Sequence, residues 1–216
     1  MTKKYLLKLF IFIFTSLIFV PSSYAVTARL HNTVSLDSPC PSSGSATYTC
    51  SPKSSGYALR GIFGLFGVGY ASTSVDYGLD ASTGFDTFKV SANAFDISLS
   101  FLDALITVGV GSVIGGSFEA AFKYNVTSDS YYLNKTMKTS DAKMSGSTSF
   151  LNLGFDVGPV ELIAGYRMWD AKATGGTLTT TQTSNLPGYT NGTTTTSDSG
   201  FDGKWNELTI GFGFGF

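Results

Sequence analysis

Apolar residues recur at every second position through segments of about ten residues along most of the chain. The clearest segment is the last. Leu208, Ile210, Phe212, Phe214 and Phe216 share one parity, while Trp205, Glu207, Thr209, Gly211, Gly213 and Gly215 share the other. Successive side chains of a strand point to opposite faces, so this is one apolar wall backed by a small, partly polar one. The same reading fits Val160, Leu162, Ala164, Tyr166 and Met168 against Glu161, Ile163, Gly165, Arg167 and Trp169. It fits Leu151, Leu153, Phe155 and Val157 against Phe150, Asn152, Gly154 and Asp156, with Gly158-Pro159 as a short turn between the two segments. Ala104, Ile106, Val108 and Val110 alternate with Leu105, Thr107, Gly109 and Gly111 after a tight connection at Leu102-Asp103. Gly115-Gly116 is a two-residue hairpin signal, followed by Phe118, Ala120, Phe122 and Tyr124 on one parity.

The first half of the chain is less regular. Residues 26–36 form a weak first strand, with Ala28, Leu30 and Asn32 alternating against Arg29 and His31. Residues 57–70 are apolar and interrupted by glycine, and Phe63 and Leu65 break their alternation. Val75, Tyr77 and Leu79 follow in the opposite phase, through either a turn at 71–74 or a bulged strand that continues upward. Phe88, Val90, Ala92 and Ala94 are then replaced by Phe95, Ile97, Leu99 and Phe101. A one-residue slip moves every later side chain to the other face, so a bulge or turn near Ala94 is expected.

Three polar stretches separate these segments, at about 37–56, 125–143 and 173–203, and read as long loops. Lys89, Asp96, Glu119, Lys123, Asp156, Glu161, Arg167 and Glu207 all lie opposite their segment's apolar parity. A soluble sandwich and an inside-out barrel both satisfy that ledger. Alternately tight and long links favour an antiparallel up-and-down transmembrane β-barrel, in which Glu119, Lys123, Glu161, Arg167 and Glu207 face the lumen. Backbone groups in hydrocarbon must all be paired, so such a sheet closes on itself. The expected count is eight strands, if 26–36 is a strand and Gly115-Gly116 a turn; other choices before Phe101 give six or ten.

Residues 1–25 change the picture most. Lys3, Lys4 and Lys8 precede an apolar run over 9–20, and Pro21-Ser22-Ser23-Tyr24-Ala25 offers a cleavage site. This is the composition of a secretory signal peptide, leaving one domain over 26–216. Without those three lysines, eleven basic residues face fifteen acids, about −4, with no basic stripe for nucleic acid. Glycine, aromatic, serine and threonine richness points to an all-β chain. Cys40 and Cys50 lie in a Pro/Ser/Gly-rich loop and, after export, are expected to form a local disulfide.

The signal peptide, the Gly158-Pro159 hairpin and the ending Leu208 to Phe216 resemble the small bacterial outer-membrane barrels, the class that includes the transmembrane part of outer membrane protein A. The resemblance covers the whole mature length but carries no subfamily motif. It implies residence in the bacterial outer membrane, among lipid and lipopolysaccharide. It also implies that Phe212, Phe214 and Phe216 form an insertion signal for the barrel-assembly machinery. A peptidoglycan-binding domain after Phe216 is not expected.

Catalytic, cofactor and metal sites are not expected. A hydroxyl nucleophile needs a base, and the single histidine, His31, sits in Leu30-His31-Asn32-Thr33 rather than beside a serine at the spacing of barrel deacylases. A structural or adhesion role through surface loops, with an extracellular partner, is the primary expectation. A narrow porin-like channel and a lipid A-modifying enzyme are the alternatives. An Arg167–Glu207 pair is expected inside the barrel, since buried charges need partners, and Trp169 and Trp205, on the same parity, are expected to plug it. Tyr166 is expected in an outer aromatic girdle.

Overall fold

The computed structural model describes residues 26–40, 42–43, 46–47, 50–78, 85–102, 105–127, 132–140, 142–185, 187–188, 190–197 and 200–215. The signal-peptide stretch 1–25 and Phe216 lie outside the described residues. The described chain is all-β. Its strands are β1 (Val26–Asp37), β2 (Ser42–Ser43), β3 (Ala46–Thr47), β4 (Lys53–Phe63), β5 (Phe66–Asp76), β6 (Phe85–Phe101), β7 (Ile106–Thr127), β8 (Tyr132–Ser140), β9 (Lys143–Val157), β10 (Val160–Thr174), β11 (Thr177–Ser184), β12 (Gly192–Ser197) and β13 (Phe201–Gly215).

Eight of these close into an antiparallel barrel in the order β1-β4-β5-β6-β7-β9-β10-β13, with β13 pairing back onto β1 from Thr27↔Gly215 to Asp37↔Asn206. Short links at 64–65, 102–105 and 158–159 gather at one end, here the lower end. The long links gather at the upper end. Three of them carry strands of their own: β2 and β3 pair with each other in the first, and the other two build onto the barrel wall. β8 pairs with the upper part of β7, β11 with β8, and β12 with β11, so the barrel wall continues upward as an extra sheet. The stretches 37–56, 125–143 and 173–203, expected as loops, therefore hold strands. Threonine favours extended backbone, and each of these strands finds a neighbour to pair with.

Eight strands arise differently from the expected set. Residues 57–70 are two strands, because Phe63 and Phe66 pair across a turn at Gly64-Leu65. Gly64 adopts φ +61°, which only glycine takes without penalty. Gly115-Gly116 is not a turn. β7 runs through it, and Ile114 is an extra residue between the pairs Ala94↔Val113 and Asn93↔Gly115. That bulge turns over the faces of β7 near the point where its pairing with β9 ends, at Val113↔Gly146.

The slip at Ala94 has another cause. β6 keeps one phase throughout: Phe88, Val90, Ala92, Ala94, Asp96, Ser98 and Ser100 are all buried inside the barrel. What changes is the interior itself. Below Ala94 it is polar, while Phe95, Ile97 and Leu99 are exposed outside; above, it is apolar, with Lys89 exposed outside. β5 repeats the inversion. Phe66 and Val68 are exposed low on its outer face, while Val75 is buried high on its inner face and Tyr77, just past its end, is buried above it. The lower half is thus an inside-out barrel, and the upper half has the polarity of a soluble one.

Candidate functional site

The lower outer surface is a continuous apolar belt. Leu59, Phe63, Phe66, Val68, Ile97, Val110, Leu153, Phe155, Leu162, Met168, Leu208 and Ile210 are all well exposed there. Phe212 and Phe214, the described part of the expected insertion signal, belong to the same belt at 44% and 43% exposure. Tyr166 also faces outward from it. Above the belt the outer wall carries exposed ion pairs: Lys89–Asp76 at 3.4 Å, Lys138–Glu119 at 3.1 Å, Lys204–Asp170 at 3.0 Å and Lys172–Asp202 at 3.9 Å. Each such pair contributes little by itself in water. Together they mark where the outer wall turns from apolar to charged.

Inside the belt, side chains bridge the lumen at three levels. Lowest, Arg29 on β1 grips Glu161 on β10. Arg29 Nε donates to Oε2 at 2.7 Å and Nη2 donates to Oε1. Its Nη1 donates to Thr107 Oγ1 at 2.7 Å, across the barrel on β7, and Thr107 meets Ser100 Oγ at 3.0 Å. In the middle, Asp96 on β6 accepts from two guanidiniums. Arg167 Nη2 and Nη1 reach its Oδ2 and Oδ1 at 2.7 and 3.2 Å, and Arg60 Nη2 reaches Oδ2 at 3.1 Å. Arg167 also donates to Thr148 Oγ1 at 3.2 Å, and Arg60 lies 3.7 Å over the ring of Phe150. At the third level Glu207 accepts from Thr73 Oγ1, from Trp169 Nε1 at 3.0 Å and from Thr33 Oγ1 at 3.4 Å. Buried ions persist in this way only when paired or fully hydrogen-bonded.

Glycines on the inner wall supply the space. A Cβ at Gly154 would overlap Glu161 Oε1, and one at Gly111 would overlap Asp96 Oδ1. An eight-stranded barrel is just wide enough for side chains to fill it, so each large charged group needs a small residue opposite.

Above the ionic levels the interior becomes aromatic. Trp169 and Trp205 stack with ring centres 5.8 Å apart, and both are buried. Over them Phe88 meets Tyr77 and Phe118 edge-on at 5.2 and 5.3 Å, and Phe118 stacks on Phe201 at 5.4 Å. Ser38 Oγ donates to the Tyr77 hydroxyl at 3.1 Å, tying the cysteine loop to this cap. The Cys40–Cys50 disulfide is formed, with a Cα–Cα distance of 5.8 Å. Burial raises the Tyr77 phenol above its ordinary pKa, against a smaller lowering by the Ser38 bond.

The expected lumen residues separate by height. Glu161, Arg167 and Glu207 point inward and are buried. Glu119 is on the outer face beside Lys138, because the Ile114 bulge turns over the faces of β7 above the belt. Lys123 also lies above the bulge, in the part of β7 that pairs with β8, opposite Thr136. The expected Arg167–Glu207 ion pair is not made. The two residues are cross-strand neighbours, yet Arg167 turns to Asp96 and Glu207 to hydroxyl and indole donors. Reading single segments missed Arg60, whose strand was merged with the next. His31 faces the lumen, buried, and its Nε2 has no hydrogen-bond partner among the described residues.

No protein-family model matches the chain, and no curated protein matches it. Among solved structures, the outer membrane protease OmpT from Escherichia coli is similar at 12% identity and a TM-score of 0.32, over 89% of this chain and 94% of that one. The protease activity is that protein's.

Proposed function

We propose that this chain is an integral protein of a bacterial outer membrane, in which the barrel is a sealed anchor and the upper sheet is the working surface. The observation that carries the reading is the inversion of polarity at one height on adjacent strands. Below it, exposed apolar side chains surround buried ion pairs; above it, exposed ion pairs surround a buried aromatic core. An apolar band around a closed barrel suits acyl chains, and the wet rim above it suits headgroups and lipopolysaccharide. Phe212 and Phe214 on the lipid-facing side of β13 suit delivery by the barrel-assembly machinery.

The interior supports an anchor rather than a channel. Two levels of buried ion pairs, a third at which Glu207 is held by hydroxyl and indole donors, and two aromatic layers cross the lumen, and opening a path means breaking these contacts or unstacking rings. The only histidine is buried facing the lumen, and no serine or carboxylate hydrogen-bonds its Nε2 among the described residues, which favours a structural place for it over a hydrolytic one. The role is assigned to the upper sheet: contact with an extracellular partner. In planar bilayers the mature chain is expected to insert without conductance steps, and removing 177–197 is expected to abolish binding to target surfaces while leaving the barrel folded. Regular single-channel steps from the intact chain would replace this reading with a channel.

A further inference from the structure

The barrel proper has no free edge, but its upward continuation has one. β12 forms the last strand of the extension and pairs only with β11 among the described residues. All six of its residues, Gly192 to Ser197, are exposed. They include no charge, no proline and no bulge, the devices by which proteins blunt a free edge. A row of unpaired amides and carbonyls accepts one kind of occupant, another extended strand.

We propose that β12 pairs antiparallel with β12 of a second copy held in a facing membrane, forming a homotypic contact between two surfaces. The inference rests on the reading above, in which the upper end faces outward.

Two observations favour a second copy. The strand carries no charge, so a charged peptide finds no counter-ion on it, while an identical strand meets no repulsion. The molecule already contains the same kind of junction. β11 meets β12 through Thr179↔Thr195, Thr180↔Thr194 and Thr181↔Thr193, with the hydroxyls of the last pair 3.3 Å apart. A second β12 would present to the free edge what β11 presents to the occupied one.

Direction decides which membrane the second copy occupies. β12 is in one antiparallel sheet with β7, so it runs along the barrel wall. A two-fold axis along the membrane normal would set two such strands parallel. Antiparallel pairing needs an axis across the strands, which inverts one barrel relative to the other. One six-residue junction is weak, and many copies on two surfaces multiply it.

The test uses the mature chain in phosphatidylcholine/phosphatidylglycerol vesicles, with donor and acceptor lipid dyes in separate populations. Wild-type vesicles are expected to cluster, read as turbidity and energy transfer, and protein-free vesicles to stay apart. Thr194→Lys with Thr196→Lys is expected to lower clustering by roughly tenfold or more, with the folded band on an unboiled gel unchanged. Clustering that survives the lysines would overturn the proposal, as would folded wild-type barrels that leave vesicles dispersed. Dispersed vesicles that still retain an added extended peptide on β12 would assign the edge to a foreign strand instead. A chain that gives no folded band at all fails earlier, at the membrane reading, and the two failures are therefore distinct.

Discussion

Arg167 on β10 and Asp96 on β6 meet across the barrel interior, with guanidinium to carboxylate distances of 2.7 and 3.2 Å. Arg60 reaches the same carboxylate from a third strand. One buried anion therefore holds two buried cations. Asp96→Ala would leave both without compensation, and loss of one member of a buried pair costs about 3–5 kcal/mol. Urea unfolding in lipid vesicles, followed on gels, is expected to show that loss. Replacing all three with apolar residues of similar volume is expected to cost less than Asp96→Ala alone, the pattern of a coupled cluster.

Glycine positions separate wall from turn. Gly111→Ala would place a methyl group against Asp96 Oδ1 and the Phe95 carbonyl, and overpacking of this kind costs about 1–3 kcal/mol. Gly115 has open space around its Cβ position, so Gly115→Ala is expected to change stability by less than about 0.5 kcal/mol. A hairpin turn at 115–116 would reverse that expectation. Unfolding midpoints of the two variants check both.

Much of this was legible in alternation, and the failures were informative. The segments from Ile106 to Val110, Leu151 to Val157 and Val160 to Met168 are strands with the expected outward faces. The breaks at Phe63/Leu65 and Ala94 looked alike in sequence and had different causes. The first is a two-residue turn; the second is an uninterrupted strand whose inner face changes from polar to apolar while its outer face changes from apolar to charged. Taking every segment as apolar-out places Glu119 in the lumen, whereas above the Ile114 bulge it is Phe118 that is buried and Glu119 that faces outward. The Asp96 cluster was only half legible, because alternation gives the face of a residue and not the partner it reaches across a closed barrel.

The aromatic cap makes a pH prediction. Burial favours the neutral phenol of Tyr77, so its folded-state pKa lies above the ordinary value of about 10. The stability this contributes is fully present below the unfolded pKa and is lost as pH rises through the folded one. Absorbance titration near 295 nm is expected to show a late-ionising tyrosine that Tyr77→Phe removes. Ionisation of every tyrosine in one step near 10 would place Tyr77 in water.

The disulfide closes only the link between β1 and β4, outside the barrel wall. Loss of so short a loop costs up to about 3 kcal/mol in the chain-entropy model. Cys40→Ser with Cys50→Ser is therefore expected to lower the unfolding midpoint while the barrel still inserts. An unboiled gel of membrane fractions, with and without reductant, reads both effects.

The proposed membrane placement sets a height on the outer face of β6 at which water gives way to lipid. Single nitroxide labels at Lys89, Ser91, Asn93, Phe95, Ile97 and Leu99, each on the barrel in lipid vesicles, measure it directly. Collision with oxygen is expected to rise, and collision with a polar nickel chelate to fall, between Asn93 and Phe95. Equal access of the nickel chelate at all six sites, or shielding of Phe95, Ile97 and Leu99 from both probes, would contradict it.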